Sequence, residues 1–393
     1  MSGMLEYRRK IILERSGHMA KEYGANSQGK KNNRNRIFRY ICDHDRVSNP
    51  ELSYEFKISL PTVMQNTREL MEMGLIEEAG ELKSTGGRRA KALSVAADAK
   101  QAIGLDITRN HIGLVLTNLK GEILKYERIP LRYEDCDAYY REVNRQIEQL
   151  VETDSAKSGH ILGLGISIPG ILDLQRSVIT VSYMLGLVSK PFDSVSRHFP
   201  YPCVFLNDAN AGAYAEGIRT DAPDRFFYLS LSNTVGGAVY HDGKLVQGRH
   251  FRCGEAGHMT VVPDGERCYC GKKGCLDVYC SAKRLAEISG GKLEKFFDGL
   301  AAGEEKNIRA WDRYTDYLAM AANNIHMMLD CDIIMGGYVG AYAEDHLQDI
   351  CRKVSVRNTF EEDATFIKPC RYKNEAAALG AALQIIEEFV EQI

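Results

Sequence analysis

The sequence predicts a winged helix-turn-helix module joined to a two-lobed α/β domain. Three observations carry that prediction. A chain of 393 residues is too long for one hydrophobic core and suits two or three domains. Residues 31–97 read as helix, helix, turn, helix and β-wing. From Gln101 onward a run of strands followed by strand-helix alternation occurs twice, which suits two lobes with a ligand between them.

Residues 1–30 read as a flexible extension, poorly ordered or only partly helical, ending in the polar stretch GANSQGKKNN. Asn35–Asp43 places Ile37, Phe38 and Ile41 on one helical face. Asn49-Pro50 supplies a cap and a proline at the first helical position for PELSYEF. After the turn Lys57-Ile58-Ser59, Ser59 caps a second helix, LPTVMQNTRELMEMG, which Gly74 ends. Leu75-Ile76, a polar turn around Gly80 and a strand near Ala92–Val95 complete the wing.

The second helix of such a pair lies in the major groove of DNA and reads base edges. Periodicity exposes Thr62, Gln65 and Asn66 and turns Val63, Leu70 and Met73 inward. Gln and Asn pair bidentately with adenine, and a Thr methyl meets that of thymine. Arg68 is placed for phosphate. The expected partner is double-stranded operator DNA.

In residues 98–393, AIGLDI, HIGLVLTNL and EILKYERIPL read as three strands, with Gly121 turning the last hairpin. Asp137–Glu152 is a helix with a polar face, followed by the buried strand HILGLGISIPG. The strand CVFLND runs into the helix ANAGAYAEG, and the hairpin FFYLSLSNTVGGAVYHDGKLV starts the second αβ unit. Trp311–Asp330 is helical, DIIMGGYVG is a strand ending in glycines, and Glu375–Ile393 is a terminal helix.

Charge is unevenly spread. Residues 1–41 hold ten Lys/Arg and three acids, leaving a net −10 for the rest of a chain whose total is −3. A basic front on an acidic body suits an N-terminus that meets phosphates. No apolar run is long enough to cross a bilayer, and the first residues lack an export leader. A cytoplasmic protein with no membrane partner is expected.

Of eleven cysteines, three crowd into eight residues: Cys268, Cys270 and Cys275 in CYCGKKGC, with His258 ten residues upstream of the first. Gly271 and Gly274 let the backbone fold around an ion. One imidazole and three thiolates are the soft ligands of a closed, structural Zn2+ site with no open position for a reactive water. Free thiols or a disulfide are the alternative, and a reducing compartment disfavours the disulfide.

Four blocks together resemble the ROK group (repressors, open reading frames, kinases), and the likeness runs from about residue 31 onward. They are GLGISIPGILD (163–173), FLNDANAGAYAEG (205–217), RCGEAGHMTV (252–261) and CYCGKKGCLD (268–277). The resemblance implies an actin-like or hexokinase-like (ribonuclease H-like) fold with a sugar cleft between lobes. It implies sugar contacts from Asn207, Asp208, Glu255 and His258. Asp277 stands where the family has glutamate, so its reach to a sugar would differ. In the family's kinases the aspartate at the place of Asp208 is the general base. On residues alone, Asn207-Asp208 also reads as a helix N-cap. Ser84–Arg89 resembles the Gly-Gly-Arg element of the group's repressors, which implies that Arg88 and Arg89 enter a minor groove.

The chain departs from a kinase in its phosphate loops, where close approach of backbone N–H groups needs glycine. The family's Asp-x-Gly-Gly-Thr is here Asp106-Ile107-Thr108-Arg109-Asn110. Its Gly-Thr-Gly-x-Gly is here Ser232-Asn233-Thr234-Val235-Gly236-Gly237. The family's sugar-side segment with asparagine and tryptophan is poorly matched by VSYMLGLVSK (181–190). The expected function is a sugar-responsive regulator of carbohydrate genes, acting as a repressor and as a homodimer or homotetramer, with Asp208 a vestigial base and no catalytic residue. A sugar kinase acting on a hexose or N-acetylhexosamine, and a constitutive DNA-binding protein whose ROK domain only dimerises, are the rivals.

Overall fold

The computed structural model describes residues 25–82, 90–152, 160–218 and 221–393. They divide into two compact units: the residues up to Ala97 with Phe389–Ile393, and Asp98–Glu388.

The first unit holds α1 (Ala25–Asp43), α2 (Asn49–Phe56), α3 (Leu60–Glu72), β1 (Ile76–Glu81) and β2 (Lys91–Val95). The two strands pair antiparallel, with Ile76 opposite Val95. Ile37, Phe38, Ile41, Leu52, Val63, Leu70 and Leu93 are buried and make the core. Arg34 ties α1 to α3 through Glu69 at 2.7 Å, and also donates to the Ile393 main-chain oxygen.

Three details differ from the sequence expectation. The first helix starts at Ala25 rather than Asn35, so residues 25–30 are helical; the polar stretch there has no apolar spacing to announce it. The cap of α2 is Ser48, whose side chain and that of Glu51 satisfy each other's backbone N–H groups. Asn49 is the first helical residue. Met73 is 46% exposed, because α3 ends at Glu72 and Leu75 takes the inward position.

The second unit contains two five-stranded sheets of one topology. The first is built from β3 (Gln101–Ile107), β4 (His111–Asn118), β5 (Ile123–Pro130), β6 (Ile161–Ile168) and β10 (Cys203–Asn207), ordered β10-β6-β3-β4-β5. The second uses β11 (Arg225–Leu231), β12 (Val235–His241), β13 (Lys244–Val246), β14 (Asp332–Gly336) and β15 (Ile367–Pro369), ordered β13-β12-β11-β14-β15. Each is an antiparallel meander extended by two parallel strands. A small sheet of β7 (Ile171–Asp173), β8 (Val178–Ser182) and β9 (Leu187–Pro191) projects from the first lobe.

Helix α4 (Asp137–Glu152) buries Tyr139, Tyr140, Val143, Ile147 and Leu150, which share a core with β3, β4 and β6. In the second lobe, Trp311, Tyr314 and Leu318 of the helix Glu305–Leu329 join Phe296 and Leu285 beneath β11 and β14. The helices Ala282–Ile288, Leu293–Ala301 and Leu347–Ser355 go beyond the sequence reading. At Gly165 a Cβ would overlap the Ala381 main-chain oxygen; the residue must be glycine for β6 and the helix Ala376–Gln392 to pack this closely.

Candidate functional site

The junction of β10 with the helix Asp208–Gly217 sets the cleft. Asn207 is that helix's N-cap, accepting from the Asn210 amide at 3.1 Å. Its Nδ2 donates to the Gly170 carbonyl at 2.8 Å and to Asp208 at 3.1 Å. One amide therefore caps a helix and pins the Pro169-Gly170 turn, so the capping and site readings of Asn207 are compatible.

Asp208 lines a cavity with Asp106, Pro169 and Met184, and with Thr108, Arg109, Ser232 and Thr234 from the two loops. Asp106 accepts from Ser167 at 2.8 Å. Burial, reinforced by Asp208 and opposed by the Ser167 bond, pushes Asp106 up to about 7. Burial also raises Asp208, against bonds from its own and Ala209's amides. A second cavity is lined by Asn207, Asn210, Gln247 and Glu255 on its polar side and by Leu172, Phe205 and Phe251 on its apolar side. Glu255 is raised by burial and then by Asp208, which places these two carboxylates in one field. Arg109 donates to the Met184 carbonyl at 3.4 Å.

Asp277 has a partner that the sequence did not announce. It is 5% exposed and accepts from the Val235 amide at 2.5 Å. Aspartate is one methylene shorter than glutamate, and the carboxylate bonds to the loop 232–237. Burial, opposed by that bond, pushes it up to about 6. Gly257 packs where a Cβ would overlap the Val235 main-chain oxygen, so the loop, Asp277 and the approach to His258 interlock.

His258, Cys268, Cys270 and Cys275 are brought together, their ligand atoms all within 4.8 Å of one another. The Cys270 and Cys275 sulfurs are 3.7 Å apart, close to the edge of a tetrahedron with Zn–S of about 2.3 Å. The residues present fit a tetrahedral metal by donor type and spacing. His258 turns Nδ1 towards the Cys268 thiol and Nε2 towards the Tyr269 hydroxyl, 3.5 Å away. Burial, helped by Lys272, lowers its pKa and so favours the neutral ring that a metal ligand requires.

Two tyrosines at the cleft are absent from the sequence expectation. Tyr269 follows Cys268, and its ring lies 5.4 Å from that of His258 and 5.4 Å from that of Tyr183. The signal for Tyr183 was the atypical segment 181–190 itself. Tyr269 had none, since a residue between two ligand cysteines reads as a spacer.

On α3 the expected DNA-reading residues separate. Gln65 and Arg68 are exposed, Gln65 donating to Glu69 at 3.2 Å and Arg68 paired with Glu72 at 2.9 Å. Thr62 is half-buried with its hydroxyl 2.8 Å from that of Ser59. Asn66 does not face solvent: it is 4% exposed and donates to the Thr62 carbonyl at 2.7 Å. Its place four residues after Thr62 lets the short amide fold back on its own helix. Met64, 52% exposed, stands on the outer face and was not expected there. Arg88 and Arg89 lie outside the described residues.

A family model described as ROK family matches residues 102–388, and one described as winged helix-turn-helix DNA-binding matches residues 31–77. The xylose repressor of Bacillus subtilis is 26% identical over 384 residues, 93% of this chain and 97% of the relative. The xylose repressor of Caldicellulosiruptor bescii is 31% identical over 264 residues, 66% of each chain. The DNA-binding transcriptional dual regulator NagC of Escherichia coli K12 is 28% identical over 251 residues, 61% of this chain and 60% of the relative. Among solved structures, a ROK family transcriptional regulator, homolog of the E. coli MLC protein, matches with a TM-score of 0.74 at 21% identity, covering 92% of this chain and 97% of that one. A ROK family glucokinase from Streptomyces griseus matches with a TM-score of 0.62 at 22% identity, covering 72% and 98%.

Proposed function

The chain belongs to the ROK family, and from that premise we propose that it is a sugar-responsive, DNA-binding transcriptional regulator of carbohydrate genes, acting as a repressor. The observation that carries this reading is the pairing, in one chain, of a winged helix-turn-helix at residues 31–77 with a ROK domain at 102–388. The similarity to a named xylose repressor over 93% of the chain supports it.

In this reading Gln65 and Met64 reach base edges, Arg68 meets the phosphate backbone, Arg88 and Arg89 enter a minor groove, and Thr62 contributes its methyl. A homodimer or homotetramer presents two such modules to the half-sites of an operator. A sugar bound by Asn207, Asp208, Glu255 and His258 shifts operator affinity by favouring one arrangement of the lobes, to the extent of its differential affinity for the two. Asp277 contributes by holding the loop 232–237. His258, Cys268, Cys270 and Cys275 hold Zn2+, which fixes the loop and orients the imidazole. No described helix is long and apolar enough to cross a membrane.

Asp208 keeps the chemistry of a base, and the likeness in fold to a glucokinase also supports the kinase reading. Against it stand Thr108, Arg109, Ser232 and Thr234, which are not glycines, line the cavity beside Asp208 and occur in loops where phosphate binding would favour bare backbone. Coupled measurement of ADP release with glucose, xylose and N-acetylglucosamine decides the matter: turnover above background establishes a kinase. A gel-shift titration of operator binding with the same sugars tests the regulator.

A further inference from the structure

Tyr183 and Tyr269 are large rings left 59% and 46% exposed, and they touch, with centroids 5.4 Å apart and planes inclined by 57°. They come from opposite lobes: Tyr183 follows β8 of the first, and Tyr269 sits in the cysteine loop of the second. Both flank the sugar site. Met184 lines the cavity that holds Asp208, the Tyr269 hydroxyl is 3.5 Å from His258 Nε2, and Asn207 is bonded to the Gly170 turn against which Ser182 packs.

A pyranose has two kinds of surface. Its hydroxyl edge asks for paired polar groups, which Asn207, Asp208 and Glu255 provide. Its ring C–H bonds present an apolar face that a flat ring covers well, and the polar tip of a tyrosine can meanwhile hydrogen-bond or stay wet. Resting on the reading of this cleft as a sugar site, we infer that Tyr183 and Tyr269 form an aromatic wall across its mouth, selecting a pyranose whose C–H bonds gather on one face. Covering exposed aromatic surface then favours the sugar-bound arrangement of the lobes, and the wall contributes to affinity and to the response together.

The test is calorimetric titration of the full-length protein with D-xylose, D-glucose and N-acetyl-D-glucosamine, comparing wild type with Tyr183→Ala, Tyr183→Phe and Tyr269→Ala. Tyr183 is exposed and lies outside the metal loop, so equal zinc content and melting temperature are expected for its variants. Tyr183→Ala should weaken the best-binding sugar by about tenfold, and Tyr183→Phe should retain it. Tyr269→Ala should weaken it at least as much. Wild-type affinity in Tyr183→Ala overturns the wall and leaves the sugar reading standing. Failure of the wild-type protein to bind any of the three sugars overturns both.

Discussion

The Asp277 carboxylate, two residues from Cys275 of the His/Cys cluster, accepts a hydrogen bond from the Val235 main-chain N–H at 2.5 Å. One buried bond thus joins the cysteine loop to the loop 232–237. Replacing Asp277 with Ala leaves the Val235 amide buried without a partner, which costs about 1–3 kcal/mol. A fall of several degrees in melting temperature, with sugar binding weakened only modestly, is the expected outcome. Loss of all sugar binding at unchanged stability would instead put Asp277 in direct contact with the sugar.

Asp106 carries a pH signature. Burial and Asp208 raise its folded-state value to about 7, above the ordinary carboxylate range of about 4. The folded protein therefore holds this proton more tightly than the unfolded chain. Its contribution to stability is full below the unfolded value and is lost as pH rises through about 7. Asp106→Asn should flatten that slope, measured as unfolding free energy between pH 5 and 8 by urea titration.

The recognition helix separates two neighbours. Gln65→Ala should lower affinity for the operator by about tenfold or more relative to scrambled DNA, because a bidentate base contact is worth roughly 1–3 kcal/mol. Asn66→Ala should leave that ratio unchanged and lower the melting temperature, since Asn66 is buried against its own helix. Fluorescence anisotropy at one fixed salt concentration reads both.

Zinc content should track the four ligands. Cys270→Ser should lose stoichiometric zinc by elemental mass spectrometry and lower the melting temperature, because metal binding and loop folding share one free energy. The same loss should loosen the hold on His258 and with it the sugar response.

Much of this was legible in the sequence because it rests on local chemistry. Ser59 and Gly74 mark the ends of α3, and the cysteine spacing marks the cluster that could hold a metal. What was not legible depends on long-range packing or on short side chains with two local options. Asn66 could face solvent or bond its own helix, and only the packing of α2 against α3 decides. Asp277 and Tyr269 acquire their partners from residues far off in sequence or in the fold, Val235 for the one and Tyr183 for the other. Helix α1 begins in a polar stretch whose residues carry no periodicity.

The most direct measurement is the operator affinity of the full-length protein, by anisotropy, with and without D-xylose, D-glucose and N-acetyl-D-glucosamine, in wild type and Asp208→Asn. A sugar-responsive regulator predicts that at least one sugar shifts the operator Kd by about 5-fold or more, and that Asp208→Asn removes the shift while operator binding without sugar is kept. An operator Kd that no sugar moves in the wild-type protein would contradict the account.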